Sequence, residues 1–188
     1  MLKQTELETS RLILRQWHSA DYAPFSRMNA DPRVMQYFPE LMSREMSDAM
    51  AERLTELIDE RGWGLWALEE KASGDFIGFT GLHIPVADLP FAPCVEVGWR
   101  LAREYWGNGY ATEAAKRALR VGFDELNLQE IVSFTTVNNL RSRAVMLRIG
   151  MSEQDETFEH PSVPESHPLR THCLYKISHP DWIRNQVE

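Results

Sequence analysis

The stretch REYWGNGYATEA, Arg103 to Ala114, sets two glycines around one asparagine directly ahead of an alanine-rich segment. From Ala111 onward, Ala114, Ala115, Ala118, Leu119, Gly122 and Leu126 fall on one helical stripe. Lys116, Arg117, Arg120 and Asp124 fall outside it, so the segment predicts an amphipathic helix. Glycine at a strand-to-helix turn lets the chain bend and lets a ligand approach main-chain N–H groups closely. The helix beyond it offers unpaired N–H groups and the positive end of its dipole. The turn therefore reads either as a cradle for a phosphate or as a plain structural turn. It lacks the GxxxxGK[ST] of a P-loop, and Thr112 stands where GxGxxG needs a third glycine.

Strands flank this unit. CVEVGWRLA, Cys94 to Ala102, precedes the turn, and EIVSFTTV, Glu130 to Val137, follows the helix, so a strand–helix–strand unit lies at the centre of the chain. Toward the N-terminus, RLILRQW (Arg11–Trp17) predicts a strand, and Ser19 reads as the N-cap of a short helix. DPRVMQYF then predicts a helix with Asp31 as cap and Pro32 in its first position. Ser43 precedes a longer helix whose apolar face is Met46, Ala49, Met50, Leu54, Leu57 and Ile58, ended by Gly62 and Gly64. LWALEE and FIGFTGLHI predict two strands joined through Ser73-Gly74. On the C-terminal side, LRSRAVMLRIG predicts a helix stopped by Gly150, and HCLYKI (His172–Ile177) a last strand. The whole is one α+β domain spanning residues 1–188.

The chain of 188 residues, 43% hydrophobic, is long enough for a sizeable core. It has no run approaching the ~20 apolar residues that span a membrane and no apolar leader in MLKQTELETS, so a cytoplasmic protein without a membrane partner is expected. Cys94 and Cys173 are too few for a disulfide scaffold. None of the six histidines shows a paired ligand spacing, so no metal is expected. A formal charge of -8 disfavours broad binding of nucleic acid. His160 and His167 lie in the loop HPSVPESHP, which reads as a surface loop or as a border of an acceptor site. Tyr37, Phe38, Trp63 and Trp66 read as core or pocket walls.

EVGWRLAREYWGNGYATEAAKRAL resembles the acetyl-CoA-binding core of the GCN5-related N-acetyltransferases (GNAT). Two further segments resemble the branch of that superfamily that acetylates ribosomal-protein N-termini, the RimJ/RimL type. TSRLILRQWHSADY with DPRVMQYF is similar to its N-terminal signature, and NNLRSRAVMLRIGM to its Asn-x-x-Ser … Lys/Arg-x-Gly-Phe segment. The matches keep their order and cover about residues 9–151. The resemblance implies a single mixed, mostly antiparallel sheet, splayed between two central parallel strands, with helices on both faces.

It also implies acetyl-CoA as cosubstrate and an amine acceptor, a protein N-terminus or a small amine, attacked directly in a ternary complex; a homodimer is compatible with it. The family's Gln/Arg-x-x-Gly-x-Gly/Ala loop falls on Glu104 to Gly109 here, with Glu104 replacing the basic or amide residue. An acidic side chain would repel phosphate, so Glu104 is expected to turn outward. Binding would then rest on the main-chain N–H groups of Trp106, Gly107, Asn108, Gly109, Tyr110 and Ala111. The CoA arm would lie between Val95–Leu101 and Ile131–Val137, bordered by Trp99, Arg100 and Leu101. Asn139 would bind that arm, or simply cap its helix. Ser142 would sit near the thiol and protonate it. Transfer to an amine needs a base, and Glu96, in the apolar strand VEVGW, is the candidate, against the alternative of a solvent-facing carboxylate. The oxyanion would be met by a backbone N–H near Trp99. A noncatalytic acyl-CoA sensor on the same fold is the rival reading. A nucleotide-binding protein is disfavoured by the missing Walker lysine and ribose-binding acid.

Overall fold

The computed structural model describes residues 6–186, so the expectation of no leader at residues 1–5 lies outside it. Eight strands form one sheet: β1 (Leu7–Glu8), β2 (Leu12–Arg15), β3 (Leu65–Glu70), β4 (Phe76–His83), β5 (Glu96–Leu101), β6 (Glu130–Thr136), β7 (Ser152–Glu159) and β8 (Thr171–Ser178), in spatial order β1-β2-β3-β4-β5-β6-β8-β7. Every adjacent pair is antiparallel except β5 with β6. Those two run parallel and share one registered pair, Glu96 with Val132, where the Val132 N–H donates to the Val95 carbonyl at 2.9 Å. Beyond that pair they part. The sheet is mixed, mostly antiparallel and splayed at its centre, as expected.

Helices cover both faces. α1 (Tyr22–Asn29) and α2 (Arg44–Arg61) lie on one, where Phe25 packs edge-on against Trp17 at 4.8 Å and against Phe79 of β4 at 5.9 Å. α3 (Tyr110–Arg120) and α4 (Leu140–Arg148) lie on the other. There Gly122, in the π-helical turn that prolongs α3, sits so close to Leu82 and Ile131 that a Cβ would meet Ile131 at 2.5 Å. Arg143 of α4 reaches the Tyr175 hydroxyl from that side, at 3.1 Å. A short α5 (His179–Asn185) follows β8, and its Trp182 stacks on Phe123.

The α3 stripe is buried at Ala114, Ala115, Ala118 and Leu119, as its spacing predicts. The α2 face is rotated from the predicted one. Its buried positions are Ser47, Ala51, Leu54 and Ile58, and Met46 is exposed, because Ser47 is drawn inward by a hydrogen bond from Asn29 at 2.9 Å. Two further expectations are corrected. DPRVMQYF forms successive turns, not a helix: the Asp31 carboxylate accepts from the Arg33 N–H, a local bond that competes with helix formation. Ser19 is not the N-cap of its short helix; Asp21 supplies the carboxylate, accepting from the His18 N–H at 2.8 Å. Ser43 does cap α2, accepting from the Met46 N–H.

Candidate active site

Gly107 and Gly109 both adopt left-handed backbone, φ 81° and 80°, which only glycine takes up without strain. That geometry turns the chain from β5 through a tight turn (Arg103–Tyr105) into α3, with Gly109 as its N-cap. The Trp106 N–H is not free, since it donates to the Arg103 carbonyl at 3.1 Å. From Gly107 to Thr112, no main-chain N–H finds an acceptor among the described residues. Six donors thus converge at the positive end of a three-turn helix, and a Cβ at Gly107 would meet nothing within 4 Å. Glu104 is exposed, as expected.

Arg11 braces this turn from outside. Its Nη1 donates to the Asn108 carbonyl at 2.9 Å, its Nε and Nη2 bind the Glu113 carboxylate at 2.7 and 2.6 Å, and its guanidinium lies over the Tyr110 ring. Glu113 also accepts from the Thr9 and Ser10 hydroxyls and the Arg11 N–H. Desolvation opposes its ionised form, yet these donors outweigh it and hold its pKa below the usual carboxylate range. Its charge is directed at the N-terminal segment. Trp106 anchors the other side: its indole N–H donates to the Leu101 carbonyl at 2.8 Å, and Arg141 of α4 lies over its ring at 4.3 Å.

The splay supplies the second half of the site. Because the Val95 carbonyl points to β6, strand alternation aims the peptide groups of Val97, Trp99 and Leu101 the same way, while those of Glu96, Gly98 and Arg100 pair with β4. Beyond Glu96 the gap leaves the Trp99 N–H and carbonyl without a β6 partner. The Leu101 side chain is buried in the core, so only its backbone borders the gap. Arg100 points away from the gap, toward α1.

At the far side of the gap, α4 begins with Asn139 as N-cap, its Oδ1 accepting from the Ser142 N–H. The same amide donates to the Thr135 Oγ1 at 2.9 Å and to the Ser142 Oγ at 3.2 Å. Asn139 therefore does cap the helix. It also fills an acceptor lone pair on Ser142, which leaves the Ser142 hydroxyl proton free to be donated elsewhere. Arg143, Tyr175 and Glu153 hold α4 in place: the Tyr175 hydroxyl donates to Glu153 at 2.8 Å, and Arg143 bonds both groups and the Val137 carbonyl.

Glu96 is buried, 8% exposed, but its surroundings are not purely apolar. Its Oε2 lies 2.8 Å from His83 Nε2. Burial by itself would lower the His83 pKa, but the Glu96 charge and hydrogen bond outweigh it and raise that pKa above its usual value. His83 was not singled out by the sequence; the signal was its place at the end of FIGFTGLHI, facing VEVGW across a hairpin. Beside the pair, on the same sheet face, Phe91, Phe134, Phe158, His160 and His172 form an aromatic wall, with the two imidazole centroids 4.9 Å apart. Burial lowers the pKa of both histidines, which keeps them neutral near pH 7. The loop holding His160 thus does reach the Glu96 face. His167 is not in that wall; its ring accepts from the Leu169 N–H. Among the described residues no group of side chains could hold a metal ion, and no helix is long and apolar enough to cross a membrane.

The chain as a whole is similar to known proteins. The family model of the acetyltransferase (GNAT) domain matches residues 11–152. The uncharacterised protein YkkB of Bacillus subtilis is 33% identical over 154 residues, 80% of this chain and 87% of that protein. The FsC-acetyl coenzyme A-N(2)-transacetylase of Aspergillus fumigatus is 32% identical over 129 residues, which are 66% of this chain but 54% of that protein. The crystal structure of an acetyltransferase from Agrobacterium tumefaciens superposes with a TM-score of 0.73 at 28% identity, over 92% of this chain and 94% of that one. The chain belongs to the GNAT acetyltransferase family.

Proposed function

We propose that the protein transfers an acetyl group from acetyl-CoA to a primary amine, by direct attack within a ternary complex. The observation that carries this reading is the convergence of the unpaired N–H groups of Gly107–Thr112, the open edge of β5 and the start of α4 on one end of the splay. A pyrophosphate suits the first, an extended pantetheine arm the second, and a thioester sulfur the Ser142 hydroxyl beside the third. The name of the Aspergillus relative, FsC-acetyl coenzyme A-N(2)-transacetylase, supports the choice of cosubstrate. The N-terminal motif TSRLILRQW supports the ribosomal-protein branch and hence a protein N-terminus among the acceptors.

In this reading each side chain has one task. The amine nitrogen, once neutral, forms its bond to the acetyl carbonyl carbon. The Trp99 N–H, aimed into the gap, stabilises the oxygen that becomes negative. The Glu96–His83 pair takes the proton the amine must lose. As the carbon–sulfur bond breaks, Ser142 gives its hydroxyl proton to the thiolate and recovers one from solvent. The test is a mass-spectrometric screen of amines and short peptides incubated with acetyl-CoA. Acetylated product with stoichiometric release of CoA is expected. Binding of CoA with no product from any amine would leave a sensor instead.

A further inference from the structure

Two arginines on the α1–α2 side of the sheet, the buried Arg15 and the partly buried Arg100, are treated oppositely. Arg15 is met by Asp21 at 2.7 and 3.0 Å and by Glu69 at 2.7 Å. Arg100, on β5, has no carboxylate within ion-pair distance among the described residues. Its Nη1 donates to the Asn29 Oδ1 at 2.6 Å and approaches the Met42 sulfur at 3.8 Å, and its guanidinium lies 4.2 Å from the Phe38 ring centre and 5.4 Å from that of Phe79. Asn29 is itself fully buried and tied to Ser47. The Arg100 Nε is buried and makes no hydrogen bond. Burial pushes the Arg100 pKa down to about 10, yet it stays a cation at neutral pH. A largely desolvated cation without a counter-ion is costly, and an arriving anion would relieve that cost.

Its position says which partner. Glu96, Gly98 and Arg100 alternate onto one face of β5, so the cation without a counter-ion and the proposed base share that face. Gly98 lies between them, and a Cβ there would meet nothing within 4 Å, so the face is open at that point. Phe38 and Leu41, 41% and 47% exposed, lie in the loop between α1 and α2, and Phe38 stacks on the guanidinium. With Nη1 committed to Asn29 and Nε buried, Nη2 is the donor that remains to an incoming anion. A carboxylate meets such a guanidinium donor through a charge-assisted hydrogen bond.

We propose that the acceptor is an amine that also bears a carboxylate, which pairs with Arg100 while the amine lies over Gly98 beside Glu96. This rests on the acetyl-transfer reading and specifies its substrate class. Arg100 is a specificity residue here, not part of the chemistry.

The test uses matched acceptors, amino acids and dipeptides each as the free acid and as the carboxamide, with the parent protein, Arg100→Gln and Arg100→Lys. The parent is expected to show kcat/KM at least tenfold higher for the acid of the preferred pair, carried by KM. Arg100→Gln should bring the acid down at least tenfold and leave the amide unchanged, and Arg100→Lys should restore part of the preference. Comparing each acceptor between parent and variant cancels the intrinsic difference in amine basicity. An Arg100→Gln loss equal for both members, which a purely structural role would give, would overturn the carboxylate while leaving acetyl transfer intact. Acetylation of no amine at all would overturn the transfer reading, and this proposal with it.

Discussion

His83 Nε2 and Glu96 Oε2 lie 2.8 Å apart between direct register partners of β4 and β5, so the proposed base is one half of an acid–imidazole pair. Below the apparent pKa of the pair, the imidazolium engages the carboxylate and neither group accepts a proton readily. The His83 pKa is raised, so kcat/KM should climb with pH through an apparent value above 6.5. Glu96→Gln should lose about 10²–10⁴ in kcat/KM at pH 7 and recover in part as the amine itself becomes neutral. His83→Gln should lose less and lack the same limb. The check is a set of pH–rate profiles from pH 6 to 9; identical profiles for parent and Glu96→Gln would remove the pair from the chemistry.

The same pair makes stability depend on pH in a defined direction. A histidine whose pKa is higher folded than unfolded contributes fully below about pH 6.5, and the contribution fades as pH rises through the folded value. His83→Gln should therefore lower Tm relative to the parent more at pH 6 than at pH 9. Calorimetric melts at the two pH values decide it, and a gap that widened toward pH 9 would contradict the raised pKa.

Asn139 and Ser142 can be separated. Asn139→Ala removes the α4 cap and the bond to Thr135, and should cost about 1 kcal/mol of stability. Ser142→Ala leaves the Asn139 bond to the Ser142 N–H in place and should barely move Tm. It should lower kcat by about tenfold, below the usual range for general acid catalysis, because a thiolate leaves tolerably unaided. Unchanged kcat in Ser142→Ala would reduce that hydroxyl to a packing group.

Arg11 is predicted to preorganise the glycine turn without touching the acyl group. Arg11→Ala frees the Asn108 carbonyl and leaves Glu113 with its Thr9, Ser10 and main-chain partners. It should raise the Kd for CoA severalfold with little effect on kcat. Glu113 adds a pH signature: its lowered pKa means a stabilisation present above about pH 4.3 and lost as pH falls through the folded value. Acid titration of Glu113→Gln should show a shallower loss than the parent.

The central unit was legible because its signals are local. Two glycines at positive φ, the α3 stripe and the Asn139 cap each lie within a few residues of the feature they specify. What escaped depends on partners distant in sequence. β7, SEQDETFE, has no apolar alternation; it is an exposed edge strand held by the backbone of β8. The inward turn of Ser47 depends on Asn29 in another helix. Glu96 lies in an apolar strand, as read, but its histidine is set by register across the loop 84–95. The family resemblance implies that Arg100 borders the CoA arm. Strand alternation instead sends its side chain to Asn29.

Calorimetric titration of acetyl-CoA into the parent and into Gly109→Val tests the account most directly. Gly109 holds φ 80° with its N–H among the unpaired donors, so a β-branched residue both strains the turn and crowds the place where phosphate and backbone must meet. The account predicts saturable binding by the parent and at least tenfold weaker binding by a folded Gly109→Val, or about 1.4 kcal/mol. Equal affinity in the two proteins would contradict a pyrophosphate cradle at Gly107–Thr112.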